Sequence, residues 1–416
     1  MTIRRAARGV SLIIVTIALA AIAGVAGLAI DLANTLSNKA RLQAAVDAAA
    51  LAGAKALDQT GTDTAALAAA SSVFDANTDA YTDLTDLVFP GLEYSDLPVP
   101  FAPKPFETGE DAPRYVRVSV EDRSVATSLL RVLGIEDLFV RASAVAGPSP
   151  AVSYGCSLLP IAACADTAAG APDYGFTPGK LIALTFTSDP TVTGPSKFGE
   201  AFLISFDQAG ADAIRRNLAG GYNQCIGIPD IVSVKPGANS GPLEQGFNTR
   251  FGIYQSQTAL NEANYPPDVI VSEASPPLAV SLINNVEQVI WNGTPYTNAN
   301  DSGANFFSHA DYLSKIAAGP PYERTPRPEG PAVFKRREAA LPIVDCGPIG
   351  QRETDLPVLK LGCFFLLQRA STSAKKTRVF AEYIERCEAG GRPGPNPSGT
   401  GPYVIQLYRD SDSQDS

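Results

Sequence analysis

Six cysteines are the residues whose type and number most directly suggest chemistry in this chain. Their even count fits disulfide bonds formed in an oxidising compartment. The alternative is six reduced thiols that serve as small apolar core residues. The sequence does not select one pairing among the many that six cysteines allow. All of them lie beyond residue 150: Cys156, Cys164, Cys225, Cys346, Cys363 and Cys387.

Catalytic and metal-binding patterns give a weaker signal. His309, in FFSHADYL on a predicted helix, is the chain's one histidine, and no C-x-x-C pair is present. These residues do not make up the usual Cys/His zinc set. No Walker A, G-x-G-x-x-G, H-E-x-x-H or G-x-S-x-G pattern occurs in the sequence. The sequence therefore predicts no catalytic residue, no metal site and no cofactor, and we expect a protein that is not an enzyme.

The charge balance limits the partners of the chain. It contains 33 Lys and Arg against 43 Asp and Glu, a formal net charge of −10. An acidic surface repels phosphate backbones, so no nucleic-acid partner is expected. The hydrophobic fraction of 45% with 18% charged residues indicates folded domains.

One uncharged apolar segment, Gly9 to Ile30, is long enough to cross a bilayer. Arg4, Arg5 and Arg8 precede it, so the positive-inside rule predicts a cytoplasmic N-terminus, residues 1–8, and export of everything after Ile30. A cleaved signal peptide is the competing interpretation, with an Ala-x-Ala-like site at residues 18–20. Continuation of the helical pattern beyond the segment favours a retained transmembrane helix in contact with the lipid bilayer.

Small residues along this helix predict close packing against other helices. The pattern continues through a juxtamembrane stalk helix, residues 31–60, without proline as far as residue 57. A pair of helices with a bend near residues 34–38 is the alternative. The predicted helix-packing residues are Ala20, Ala23, Gly24, Gly27, Ala44, Ala48 and Ala52.

The remainder predicts two further units. A helix at residues 62–77, strands near 115–121 and 138–146 and a helix near 125–134 give a small α+β unit at 61–148. A larger β-rich exported domain follows at 149–408, with an acidic tail at 409–416 that we expect to be disordered. Its predicted strands are 180–187, 201–206, 268–272, 341–346, 358–367 and 403–408, and residues 225–252 carry a hypothetical binding loop.

The N-terminal residues resemble TadG-like proteins of bacterial Flp (tight adherence) pilus assembly. The likeness rests on an apolar segment that ends in GLAIDLA, followed by RLQAAVDAAALA. It is looser over residues 150–385. The resemblance implies an envelope component of the pilus machinery, either a minor pilin-like subunit or a scaffold. Gly9 is followed five residues later by Ile14 rather than by the glutamate of a pilin processing site, and the D-x-S-x-S pentapeptide of von Willebrand A domains is absent.

Taken together, these features predict an α+β protein with a single transmembrane helix in the bacterial inner membrane. The small unit would be pilin-like, and the bulk of the chain would be periplasmic or extracellular. Its expected partners are the bilayer and other pilus-assembly proteins or pilin helices. One alternative is an anchored hydrolase whose catalytic residues converge only in the fold, with His309 or a tight carboxylate pair in a concave pocket. The other is a ligand-binding receptor domain with an apolar pocket.

Overall fold

The structure is a computed structural model of the chain. It describes residues 6–81, 84, 86–109, 112–187, 198–205, 210–235, 239–256, 258–283, 286–322, 330–347, 354–373, 376–394 and 400–410. The chain divides into two compact units: unit 1 is Met1–Gly147 with Ile405–Ser416, and unit 2 is Pro148–Val404. A long N-terminal helix and a β-rich remainder confirm the α+β class.

Unit 1 is built on one continuous helix, α1, Ala6–Thr60, of 55 residues. At 1.5 Å per residue it is about 82 Å long. The structure has no break near residues 34–38, where the alternative placed a bend. Gly61, with a φ of 64°, ends α1 and lets the chain turn into α2, Asp63–Thr78. The two helices pack closely, since a Cβ at Gly53 would meet Ala70 Cβ at 3.3 Å.

A four-stranded sheet packs against these helices. Its strands are β1 (Glu93–Ser95), β2 (Tyr115–Ala126), β3 (Asp137–Pro148) and β20 (Ile405–Tyr408), in the order β1-β2-β3-β20. Alternate residues of β2 and β3 face the helices. The first half of β2 has the period-2 pattern of a half-buried strand, whereas β3 is buried on both faces from Ala142 to Pro148. The core of unit 1 includes Leu42, Val46, Ala49, Leu57, Ala66, Phe74, Val116, Val118, Ala142 and Ala144.

The β2–β3 hairpin extends along α1 toward the apolar segment. Its register shifts between Val120 and Arg123, beside Asp122, whose φ is positive. Beyond this bulge, Arg123–Ala126 pairs with Asp137–Val140. The connection, residues 127–136, contains a 3-10 helix, Leu130–Leu133. We call residues 127–136 the hairpin tip.

Four expectations for this region differ from the structure. Residues 42–57 of the expected stalk lie in the core of unit 1, because α2 and the sheet cover their apolar face. The helix expected at 125–134 is reduced to the 3-10 turn, since β2 continues to Ala126. The domain expected at 149–408 loses its last strand, because Ile405–Tyr408 belongs to unit 1. In the expected tail, Asp410 is buried and pairs with Arg117, while residues 411–416 lie outside the described residues.

Unit 2 is mostly β structure. Its helices are α3 (Ala211–Arg216), α4 (Ser240–Phe247) and α5 (His309–Ala318), with a π turn at Asn217–Gly221 and a 3-10 turn at Asn248–Phe251. Residues 268–272, expected as a strand, make only an isolated bridge from Asp268 to Val333. The strands are β4 (Val152–Cys156), β5 (Ile161–Cys164), β6 (Leu181–Thr187), β7 (Ala201–Ile204), β8 (Cys225–Gly227), β9 (Ile231–Lys235), β10 (Ala279–Ile283), β11 (Val286–Trp291), β12 (Thr294–Tyr296), β13 (Glu338–Val344), β14 (Thr354–Leu366), β15 (Ser371–Ser373), β16 (Lys376–Ile384), β17 (Arg386–Glu388), β18 (Gly390–Pro393) and β19 (Gly401–Tyr403).

The long strand β14 organises the eight-stranded sheet of the described part of unit 2. It pairs with β13 along one edge and with β9 and then β16 along the other. Because β13 also pairs with β5, and β5 continues through β7 to β9, these five strands close into a ring. Successive residues of β14 enter different cores: Cys363 and Phe365 lie in one, Phe364 and Leu366 in the other.

All six cysteines are paired in unit 2. Cys156 is bonded to Cys225, Cys164 to Cys346, and Cys363 to Cys387. The expectation of disulfide bonds is therefore met, and the structure supplies the pairing that the sequence left open. The second bond joins residues 182 positions apart and so removes a large share of the unfolded chain's freedom.

A buried arginine joins several segments of unit 2. The Arg337 side chain is fully buried, and burial lowers its pKa to about 10, partly offset by the nearby Asp268 carboxylate. The Asp268 carboxylate in turn accepts the Arg337 backbone N–H at 3.0 Å. The guanidinium donates to the carbonyl oxygens of Ile270, Ser272, Leu366 and Leu367 and lies against the rings of Phe251, Phe307 and Phe365.

We expect Arg337→Lys to lower the free energy of unfolding of unit 2 by about 2–3 kcal/mol, because an ammonium has no planar fork and leaves buried carbonyl groups unsatisfied. Arg369→Lys is the matched control, since Arg369 is about half exposed and its pair with Glu273 is on the surface. Urea denaturation followed by the fluorescence of Trp291, the chain's one tryptophan, measures both variants. Equal stability of the two variants would contradict the role given to Arg337.

Candidate membrane anchor and helix-packing surface

The N-terminal part of α1 presents an apolar surface that the described residues leave largely uncovered. Leu12–Thr60 is long and apolar enough to cross a membrane, and only 6% of its most apolar 18-residue stretch is buried. Monomeric soluble proteins rarely leave so large an apolar surface in water. A signal sequence has the same properties. The exposed large apolar residues are Leu12, Ile13, Ile14, Val15, Ile17, Leu19, Ile22, Val25, Leu28, Ile30, Leu32 and Leu36.

Of the small residues predicted to pack within the membrane, Gly24 is open and Gly27 is in contact with the hairpin tip. A Cβ added at Gly24 would meet no atom within 4 Å, so the chain leaves this position open. Gly27 is buried, and an added Cβ would lie 2.8 Å from Leu129 Cβ of the hairpin tip. The side chains of Ala20 and Ala23 lie outside what the structure describes. Gly24 therefore remains accessible to a partner helix, whereas Gly27 serves an internal contact.

Asp31 joins α1 to the hairpin tip. Its carboxylate accepts the backbone N–H groups of Ser128 at 2.9 Å, Leu129 at 2.8 Å and Leu130 at 2.6 Å. The Asp31 side chain is buried although it directly follows the apolar segment. Three charge-assisted hydrogen bonds satisfy it, and the carboxylate lies at the N-terminal end of the 3-10 helix, where negative charge is favoured.

The pKa of Asp31 reflects the same geometry. The N–H of Leu130 contributes most to holding the pKa of this carboxyl below its usual value, while burial acts in the opposite direction and the N–H groups of Ser128 and Leu129 add to the lowering. The fold therefore favours the ionised form of the Asp31 side chain over the protonated form. In the sequence, Asp31 is recognisable only as the charged residue that directly follows the apolar segment. Its donors lie 97 to 99 residues away, and no local pattern identifies them.

The second group of predicted packing residues lies on the length of α1 against which α2 and the sheet pack. Ala44 is exposed, whereas Ala48 and Ala52 are half-buried. The alanines that pack most tightly are Ala45, Ala49 and Ala50, which are fully buried in the core of unit 1. The orientation prediction depends on residues that lie outside the described part: Arg4 and Arg5 entirely, and the side chain of Arg8.

The contacts of His309 join elements of the fold. It begins α5 after the N-cap Ser308, its backbone N–H donates to the Glu382 carboxylate at 2.9 Å, and its Nε2 lies 3.0 Å from Glu338 Oε1. Its side chain is 17% exposed, so it is neither alone nor fully exposed. Among the residues that the structure describes, no hydroxyl or thiol hydrogen-bonds to the ring. The contacts join α5 to β13 and β16 and do not make a catalytic triad.

The other candidate sites are polar or belong to the core. A cavity of about 370 Å³ lies in unit 1, lined by Arg117, Arg141, Glu121 and Asp410 among others, and is not the apolar receptor pocket of the alternative. The hypothetical loop at 225–252 contains β8, β9 and α4 and buries Leu243 and Phe247. Within the described part of the chain, no group of three or more His, Cys, Asp or Glu side chains is arranged to hold a metal ion.

One half of α1 is apolar and uncovered, and the other half is built into a small α+β unit. These features define a class of protein in which a helix suited to membrane anchoring continues into a folded unit. Residues 9–56 match the family described as "Putative Flp pilus-assembly TadE/G-like". The resemblance to TadG-like proteins is confirmed over these residues, and the match indicates involvement in Flp pilus assembly. No curated protein and no solved structure matches the chain.

We expect Asp31→Asn to release the hairpin tip, because a carboxamide loses the negative charge and presents its NH₂ group to N–H donors. Hydrogen exchange of the Ser128, Leu129 and Leu130 amides should accelerate on the order of tenfold while the α1–α2 core keeps its protection. Asp137→Asn is the control, since that side chain is exposed in the same hairpin. Unchanged exchange at residues 128–130 would exclude Asp31 as the group that holds the tip.

Proposed function

We propose that this chain is a non-enzymatic, membrane-anchored component of Flp pilus assembly that acts as a minor pilin-like subunit or scaffold through the packing of α1. Residues 9–30 remain in the bacterial inner membrane as a single transmembrane helix. The N-terminus is cytoplasmic, and the part of unit 1 that follows Ile30, together with unit 2, lies on the periplasmic or extracellular side. The proposal combines the match over residues 9–56 with the uncovered surface of the same helix.

The single observation that carries the proposal is the exposed apolar surface from Leu12 to Leu36. Lipid covers most of such a surface at little cost, since hydrocarbon replaces the water that these side chains would otherwise order. The apolar segment, residues 9–30, is about 33 Å long, which matches the hydrocarbon thickness of a bilayer. Three disulfide bonds in unit 2 support delivery of that unit to an oxidising compartment.

Gly24 is the position at which a neighbouring helix comes closest. Membrane helices associate where small residues let their backbones approach, because apolar side chains gain nothing by leaving lipid for another apolar surface. Gly24 is open in this chain, so its missing side chain serves no internal contact. The continuity of α1 from the membrane into the core of unit 1 then fixes the direction in which a packed partner meets that unit.

We expect Gly24→Leu to reduce assembled surface pili several-fold at normal protein level, because the added side chain obstructs a partner without a clash inside the chain. The measurement is a count of pili by electron microscopy in cells that carry the substitution in the native gene. Carbonate extraction of the membranes checks that the variant is still inserted.

Ala26→Leu is the matched control. It adds a leucine two residues away, which at 100° per residue is the opposite side of the helix, at a position exposed in the chain. Normal pili in this variant together with few pili in Gly24→Leu support helix packing at Gly24. Wild-type numbers of pili in Gly24→Leu would contradict it.

A further inference from the structure

We infer that the β2–β3 hairpin forms a second contact with the membrane, with Ile135 and Phe139 entering the lipid interface beside α1. This inference rests on the proposed function, since it requires that residues 9–30 lie in the bilayer. It adds to that function a contact made by a segment of unit 1 far from the anchor in sequence.

The position of the tip is the first argument. Leu129 packs on Gly27, and Gly27 lies three residues before the end of the apolar segment. At 1.5 Å per residue, this contact is about 4.5 Å inside the level of Ile30 along the helix. A bilayer that covers residues 9–30 therefore reaches the tip of the hairpin as well.

The exposed side chains are the second argument. Leu129 is 45%, Ile135 43% and Phe139 67% exposed, so three large apolar side chains are grouped at one end of the hairpin, and such grouping marks an interaction surface. Phe139 lies opposite Ser124 in the β2–β3 ladder, on the part of the hairpin beyond the bulge. The other half of the same hairpin buries Val118 and Ala144 against the helices, so exposed apolar residues are concentrated toward the apolar segment.

Continuity with α1 identifies lipid as the occupant. Leu28, Leu32 and Leu36 remain exposed on α1 on both sides of Asp31. The apolar surface of the helix thus extends about 9 Å beyond Ile30, into the headgroup region and alongside the hairpin. Arg131, which is exposed at the tip, suits contact with lipid phosphates, whereas the exposed Glu136 and Asp137 limit how deeply the tip enters.

The Asp31 contact makes the arrangement rigid. Three hydrogen bonds hold residues 128–130 on the helix at the point where it leaves the apolar segment. The hairpin therefore cannot swing away from the bilayer without exposing a buried carboxylate and three backbone N–H groups. Two membrane contacts on one rigid body restrict the tilt of α1 and its rotation about its own axis.

Site-specific fluorophores test the inference on the full-length chain in vesicles of phosphatidylethanolamine and phosphatidylglycerol that contain a bromolipid quencher. All six native cysteines are disulfide-bonded, so a cysteine introduced at Leu19, Val88, Ile135 or Phe139 gives one site for an environment-sensitive probe. Leu19 reports the anchor. Val88 is an 84% exposed control in unit 1, four residues before Leu92, which contacts Gly53 about 39 Å along α1 from Gly27.

We expect bromolipid to quench the probes at Leu19, Ile135 and Phe139 at least about twofold more than the probe at Val88. Protection of the 128–130 amides from exchange confirms that each labelled hairpin is folded. Quenching at Leu19 with either hairpin probe equal to Val88 would overturn the hairpin contact and leave the anchor intact. Absence of quenching at Leu19 would instead remove the anchor, and with it the proposed function.

Discussion

The bonds from the Asp31 carboxylate to three backbone N–H groups of the hairpin tip are the interaction on which the arrangement of unit 1 depends. Without them, the apolar segment and the small α+β unit would be joined only by a length of helix and by the packing of Leu129 on Gly27. With them, the end of the apolar segment is fixed to the sheet as well, because the donors lie in the β2–β3 connection. A buried carboxylate is costly unless it is fully hydrogen-bonded, so these bonds form together or the tip separates from the helix.

This constraint gives α1 two roles along its length. From Leu42 to Leu57 its apolar residues form a protein core with α2 and the sheet, and a proline-free sequence keeps the helix continuous. From Leu12 to Leu36 the same helix has apolar side chains that no described segment covers. Force or orientation imposed on the membrane end is transmitted to unit 1 without a hinge, which suits a subunit or scaffold that works by packing.

Sequence patterns predicted those parts of the fold that follow from local periodicity. The apolar segment, α2 and the alternating residues of β2 can be predicted from the sequence, because the spacing of apolar residues in a helix or a strand is set by the geometry of that element. The hydrogen bonds of Asp31, the return of β20 to unit 1 and the disulfide pairing join residues distant in sequence, and no local pattern encodes them. Composition does not tell a core alanine from a contact alanine: Ala45, Ala49 and Ala50 are fully buried, Ala48 and Ala52 are half-buried, and Gly24 and Ala44 are open.

The proposed role requires that residues 9–30 remain attached to the folded units as a permanent membrane helix. The intact mass of the mature protein, purified from carbonate-washed membranes and from the soluble fraction, tests it most directly. If these residues are a permanent anchor, the protein is membrane-bound and its mass includes the whole apolar segment. A soluble mature protein that begins after residue 20 would contradict it.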